Sequence, residues 1–114
     1  MPHIILEVPK KFDIELAKQI INISQHYLVD GLPAKLEGFK CRIYNYEYCC
    51  VAGNQDKELV HMQIKVLAGR KQEHLDTLST NLRNKILEIL NKCVNMDKYT
   101  VTLEISELSS AYAR

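Results

Sequence analysis

No stretch of this chain approaches the roughly 18 consecutive apolar residues of a membrane-spanning helix, and no cluster of basic side chains marks a nucleic-acid surface. An excess of either charge is missing as well, since 15 basic and 14 acidic side chains leave a formal net charge of +1. The start carries no positively charged leader with an apolar core. It reads instead as a strand interrupted by charge at Glu7, so the expected compartment is the cytoplasm. Cys41, Cys49, Cys50 and Cys93 form no CxxC pair with one another, and His3, His26, His61 and His74 form no HxxxH pair, so no metal site is expected. Without a leader the cysteines are expected to be reduced. A length of 114 residues fits one domain, residues 1–114, with no room for a second.

What the chain does have is two similar halves. Its elements come in the order strand, helix, strand, then strand, helix, strand. His3 and His61, Val8 and Val66, Glu15 and Glu73, and Lys40 and Lys98 all keep an offset of 58 residues, which suggests pseudo-repeats of about 1–57 and 58–114. The first helix is expected to start at an Asp13 N-cap and run to about Leu28, with Leu16, Ile20, Ile23 and Tyr27 at helical spacing. The second is expected from about Gln72 to Cys93, with Leu75, Leu78, Leu82, Ile86, Ile89 and Cys93 as its apolar stripe. Gly31, Pro33 and Gly38 punctuate the link into a second strand, Lys40 to Val51. A turn at Ala52-Gly53-Asn54-Gln55 leads to a third strand, Leu59 to Leu67, and Tyr99 to Ile105 supplies the fourth.

Strands that flank a helix in this way run parallel through a right-handed crossover. The expected fold is therefore α+β: duplicated β-α-β units forming a four-stranded mixed sheet with two helices on one face. The alternations Ile4-Leu6-Val8 and Met62-Ile64-Val66 suggest that the second face could be apolar too, in which case sheets of neighbouring subunits would have to cover it. Association is also a common way for so small a domain to bury more surface.

Three features carry possible chemistry. Proline after an initiator methionine permits removal of that methionine, which leaves Pro2 as a secondary amine at the tip of a strand. An α-amino group titrates at about 7.7 to 8.0, and burial or a nearby cation lowers that value, so such an amine can act as a base near neutrality. Many chains begin Met-Pro for processing alone, so this start is a weak signal by itself. Arg42 shares a strand face with Lys40, Tyr44, Tyr46 and Tyr48 by the period of two. Arg70 follows Ala68-Gly69 just ahead of the second helix, where a cation opposes the helix dipole. Either arginine alone reads as a solvated surface charge. Together with open backbone N–H groups they make a carboxylate or phosphate site.

The Pro2 start, the Gly31, Pro33 and Gly38 linker into Lys40-Cys41-Arg42, and the segment from Leu59 to Arg70 resemble the 5-carboxymethyl-2-hydroxymuconate isomerase family of the tautomerase superfamily. The likeness covers nearly the whole chain, and its most specific piece is Val60-His61-Met62 running on to Ala68-Gly69-Arg70. It implies a homotrimer whose sheets face a central core, and an isomerase of aromatic compound catabolism that needs neither metal nor organic cofactor. The substrate implied is a small carboxylate, an unsaturated 2-hydroxy (enol) acid of the 5-carboxymethyl-2-hydroxymuconate type. Pro2 is then the general base, Arg42 and Arg70 bind carboxylates and stabilise the dienolate, and Lys40 shares that work. Pro9 and Lys71 depart from the family pattern, where a small polar residue and a serine are common. Two other readings stand beside this one: a phenylpyruvate-type enol-keto tautomerase, and a tautomerase-fold binding protein without turnover, since fold does not fix function.

Overall fold

The computed structural model describes residues 1–114. In chain order the elements are β1 (His3–Pro9), α1 (Ile14–Gly31), β2 (Lys40–Tyr46), β3 (Glu58–Val66), α2 (Gln72–Cys93) and β4 (Tyr99–Glu107). Single 3-10 turns at Leu36–Gly38 and Met96–Lys98 precede β2 and β4. The sheet order is β2-β1-β3-β4, with β1–β2 and β3–β4 parallel and the central β1–β3 pair antiparallel. This is the expected α+β architecture of two β-α-β units sharing one mixed sheet. Neither helix is long and apolar enough to cross a membrane.

Local chemistry sets the element ends. The Asp13 side chain accepts a hydrogen bond from Glu15 N at 3.0 Å and caps α1. At its other end α1 runs past the expected Leu28 to Gly31, because nothing breaks the backbone until Pro33. Its last carbonyl, on Gly31, accepts from His74 Nε2 at 2.6 Å, so the start of α2 satisfies the end of α1. The buried stripe of α2 is Leu75, Leu78, Leu82, Ile86 and Leu90. From Leu78 onward it advances by four residues per step, which carries it to Leu90, leaves Ile89 half-buried and exposes Cys93, contrary to the expected stripe.

β2 stops at Tyr46 rather than Val51. It is an edge strand whose one neighbour, β1, ends at Pro9 opposite Tyr46, so residues 47–51 have no strand to pair with. Beyond it Ala52 (φ 53°) and Gly53 (φ 80°) make a tight turn closed by Val51 N to Asn54 O at 3.0 Å and Asn54 N to Val51 O at 2.9 Å. β4 extends past Ile105 to Glu107 because β3 pairs with it through Val66.

Register decides which side chains meet the helices. Ile4 pairs with Ile64 and Leu6 with Met62, so these positions share one face. Ile4, Leu6, Val8, Val60, Met62, Ile64 and Val66 are all at most 1% exposed beneath the helices. Both apolar alternations therefore serve the same core, and the expectation that one of them lines the second face is corrected. The open face instead carries His3, Glu7, Lys40, Arg42, His61 and Lys65, with Ile5 and Leu59 as apolar members. On it His61 pairs with Thr102 Oγ1 at 2.7 Å and Glu104 Oε2 at 3.1 Å.

Leu82 lies fully buried at the centre of the α2 stripe. Leu82→Ala is expected to lower the unfolding free energy by about 2–5 kcal/mol. The exposed neighbour Asn84→Ala should change it by less than about 0.5 kcal/mol. Urea denaturation of both variants checks this.

Candidate active site

The sheet topology brings the amino terminus to the same end as the close of β3. His3 pairs with Lys40 on one side and Lys65 on the other, and the link from Leu67 to Lys71 leaves β3 just beyond. Pro2 is buried at this end, and its carbonyl accepts from Lys40 N at 2.9 Å. Met1 covers it and lies against Gly38, where an added Cβ would sit 3.3 Å from the Met1 sulfur. With Met1 attached, the Pro2 nitrogen is a tertiary amide without basicity.

Positive charge converges here although the chain as a whole is close to neutral. The Met1 amine is held below the usual α-amino range, first by burial and then by the charges of Arg114, Arg70 and Lys40. The His3 ring is lowered in the same way, first by burial and then by Arg42, Lys40, the terminal amine and Lys65. One carboxylate, on Glu107, answers this charge by accepting from Gly69 N at 3.0 Å. Gly69 has φ +122°, a conformation that favours glycine, so the bend leading to Arg70 depends on it.

Each residue singled out in the sequence has a definite place. Arg42 lies on the open face, and its Nη1 donates to His3 Nδ1 at 3.0 Å. Arg70 is more committed than its sequence position suggested. Its Nε donates to Leu32 O at 2.9 Å and its Nη1 to Leu67 O at 3.1 Å, which leaves Nη2 for an anion. These bonds also explain how a cation is held ahead of a helix N-terminus: two carbonyls offset the opposing dipole. Lys40 is exposed on the edge strand, in register with His3. Pro2, Lys40, Arg42 and Arg70 thus share one end of the sheet. His61 does not join them, for it pairs with Glu7 further along the sheet and has partners on both ring nitrogens.

Two residues here were not visible in the sequence. The tail after β4 folds back, placing the Tyr112 hydroxyl 2.6 Å from His3 Nε2 and bringing the Arg114 charge toward the amine. Residues 108–114 show no periodicity or motif, so only the three-dimensional path reveals them. The larger clefts of the isolated chain lie elsewhere. One of about 660 Å³ is lined by Lys11, Phe12, Asp56 and Tyr99, and one of about 450 Å³ by Asn22, His26, Tyr27 and Lys85. No group of three or more His, Cys, Asp or Glu side chains is placed to hold a metal ion.

Known proteins share this arrangement of elements. A 5-carboxymethyl-2-hydroxymuconate isomerase from Deinococcus radiodurans R1 is 20% identical, with a TM-score of 0.82 over 99% of this chain and 87% of that one. A macrophage migration inhibitory factor-like protein from Entamoeba histolytica is 14% identical, with a TM-score of 0.68 over 95% of this chain and 89% of that one. A fused 4-OT wild-type symmetric trimer is 17% identical, with a TM-score of 0.71 over 90% of this chain and 85% of that one. Among curated proteins none matches the chain by sequence at a significant level. The family model described as 5-carboxymethyl-2-hydroxymuconate isomerase matches residues 2–114, which is nearly the whole chain and includes Pro2, Lys40, Arg42 and Arg70, and the chain therefore belongs to that family.

Proposed function

We propose that this chain, once Met1 is removed, is a cofactor-independent tautomerase of an unsaturated 2-hydroxy carboxylic acid of the 5-carboxymethyl-2-hydroxymuconate class. The observation that carries the reading is the convergence of Lys40, Arg70 and Arg114 on the Met1 amine, one residue from the Pro2 nitrogen that becomes the terminal amine once Met1 is removed. That charge both lowers the proton affinity of the amine and attracts an acid substrate. The Pro2 nitrogen takes the proton of the enol hydroxyl and returns it to a carbon of the conjugated chain. The double bond moves, the enol becomes a ketone, and no atom is gained or lost. Arg42 and the Nη2 of Arg70 hold carboxylates and face the dienolate charge, with Lys40 as a third cation. A fixed donor at such a charge is worth about 2.7–4 kcal/mol of barrier. Arg42 bonds only the His3 ring, so it matters more to turnover than to folding, whereas Arg70 also holds the Leu32 and Leu67 carbonyls and serves both.

The active species we propose is a homotrimer, acting in the cytoplasm in the catabolism of aromatic compounds. Support comes from the open sheet face, whose polar and partly buried side chains have no covering element in one subunit, and from the likeness to a symmetric trimer. Packing three such faces together would also close the amino-terminal end of the sheet.

Processed protein, shown by mass spectrometry to begin at Pro2, is expected to ketonise a 2-hydroxymuconate-type substrate in an ultraviolet assay. Protein that keeps Met1 should show no turnover. Turnover of phenylenolpyruvate alone would move the substrate class to phenylpyruvate-like acids, and processed protein inert with both would leave a binding protein. Arg42→Ala is expected to lower kcat/KM by about 10²–10³-fold with little change in melting temperature, as for a lost oxyanion donor. Arg70→Ala should lower both, because Leu32 O and Leu67 O lose a charged donor worth about 1.5–3 kcal/mol each. Sedimentation at micromolar concentration is expected to give a trimer, and a persistent monomer would count against the proposed site.

A further inference from the structure

We propose that Tyr112 is a catalytic hydrogen-bond donor of this site, aimed at the substrate oxygen by His3, whose tautomer Arg42 fixes. The inference rests on the tautomerase reading above and extends it to a residue of the tail. Arg42 Nη1 lies 3.0 Å from His3 Nδ1, and His3 Nε2 lies 2.6 Å from the Tyr112 hydroxyl. A guanidinium can only donate, so Nδ1 must accept and the neutral ring carries its proton on Nε2. Nε2–H therefore donates to the tyrosine oxygen. A hydroxyl that accepts in this way keeps its own proton free for a third partner.

Tyr46 shows the contrast within the same molecule. Its hydroxyl donates to Leu59 O and accepts from Leu59 N, both at 2.8 Å, so it is fully committed and structural. Tyr112 has its acceptor role filled and its donor role open. Its position is braced on several sides. The His3 and Tyr112 rings meet edge to face at 5.5 Å and 90°. Leu108 N donates to Val66 O at 2.7 Å and ties the start of the tail to the end of β3, and Tyr112 N donates to Ser109 O at 3.0 Å to close a turn within the tail. Donor and histidine lie 109 residues apart in sequence, so this contact belongs to the tertiary fold and not to a local turn.

The groups facing His3 are the cations Arg42, Lys40 and Lys65, the Met1 amine, and Tyr112. A protonated imidazole there would turn Nδ1 into a donor against Arg42, so the surroundings favour the neutral ring that the relay requires. In the reaction one proton leaves the enol hydroxyl for the Pro2 nitrogen and then passes to carbon. As it leaves, charge gathers on the oxygen, and the Tyr112 O–H hydrogen bond strengthens there while its proton stays on the phenol. No other bond forms or breaks.

The test uses processed enzyme and a 2-hydroxymuconate substrate. Tyr112→Phe keeps the ring and its packing, and is expected to lower kcat by about 10²-fold while leaving KM within about twofold. His3→Leu should lose a similar factor. His3→Gln, whose amide can accept from Arg42 and donate to Tyr112, should recover most of that loss. Nitrogen-15 spectra should show His3 protonated on Nε2 near neutral pH. Unchanged kcat and KM in Tyr112→Phe, a change in KM alone, or a His3 proton on Nδ1 would each overturn the proposal. If processed wild-type enzyme turns nothing over, the tautomerase reading falls and this one with it. An active wild type with an equally active Tyr112→Phe removes this one alone.

Discussion

Burial of Ile4, Leu6 and Val8 beside Val60, Met62, Ile64 and Val66 constrains the rest of the sheet, because a one-residue slip between β1 and β3 would turn the apolar set of one strand outward. With that register set, His3, Glu7, His61 and Lys65 have no choice but the opposite face. The antiparallel central pair then places the amino terminus beside the end of β3, and the two parallel outer pairings bring Lys40 and the tail to the same place. The hydrophobic core and the candidate site are thus two consequences of one alternation. A core this small also explains why each buried leucine of α2 counts for so much in a marginally stable fold.

The cluster of cations at that end is unfavourable in isolation. Lys40, Arg42, Lys65, Arg70 and Arg114 each disfavour the charged form of the Met1 amine or of the His3 ring. The protein offsets part of this by tying Arg70 to two carbonyls and Arg42 to a neutral imidazole. An arrangement of that kind is stabilised further by a bound anion, which is the physical basis of the acid substrate proposed above.

Helices were the most legible elements of the sequence. Asp13 and the spacing of Leu16 and Ile20 gave the start and face of α1, although Ile23 and Tyr27 of the expected stripe are only half-buried, and α2 begins and ends at the expected residues Gln72 and Cys93. The parallel pairing within each half followed from the two β-α-β units, while the order β2-β1-β3-β4 with its antiparallel β1–β3 junction was not contained in them. Strand ends were harder to read, since β2 stops where its partner reaches Pro9, a fact about pairing that no property of residues 47–51 records. Which face each alternation serves was also hidden, because period two fixes sidedness within a strand but not between strands. At the site, Pro2, Lys40, Arg42 and Arg70 could be named from motif and position. The commitment of Arg70 to Leu32 and Leu67, and the return of Tyr112 to His3, depend on contacts between residues far apart in the chain, and local pattern carries no trace of them.

The central claim is that the amino-terminal amine is a base tuned by buried cationic surroundings, and its titration tests that most directly. Burial and the charges of Arg114, Arg70 and Lys40 lower the Met1 amine, and on the proposed reading the same surroundings disfavour the protonated form of the Pro2 amine that removal of Met1 exposes. Nitrogen-15 NMR of Pro2 in protein lacking Met1 follows that protonation without reference to any substrate. A midpoint below that of the N-terminal proline amine of an unstructured peptide is expected, and one at or above it would contradict the account.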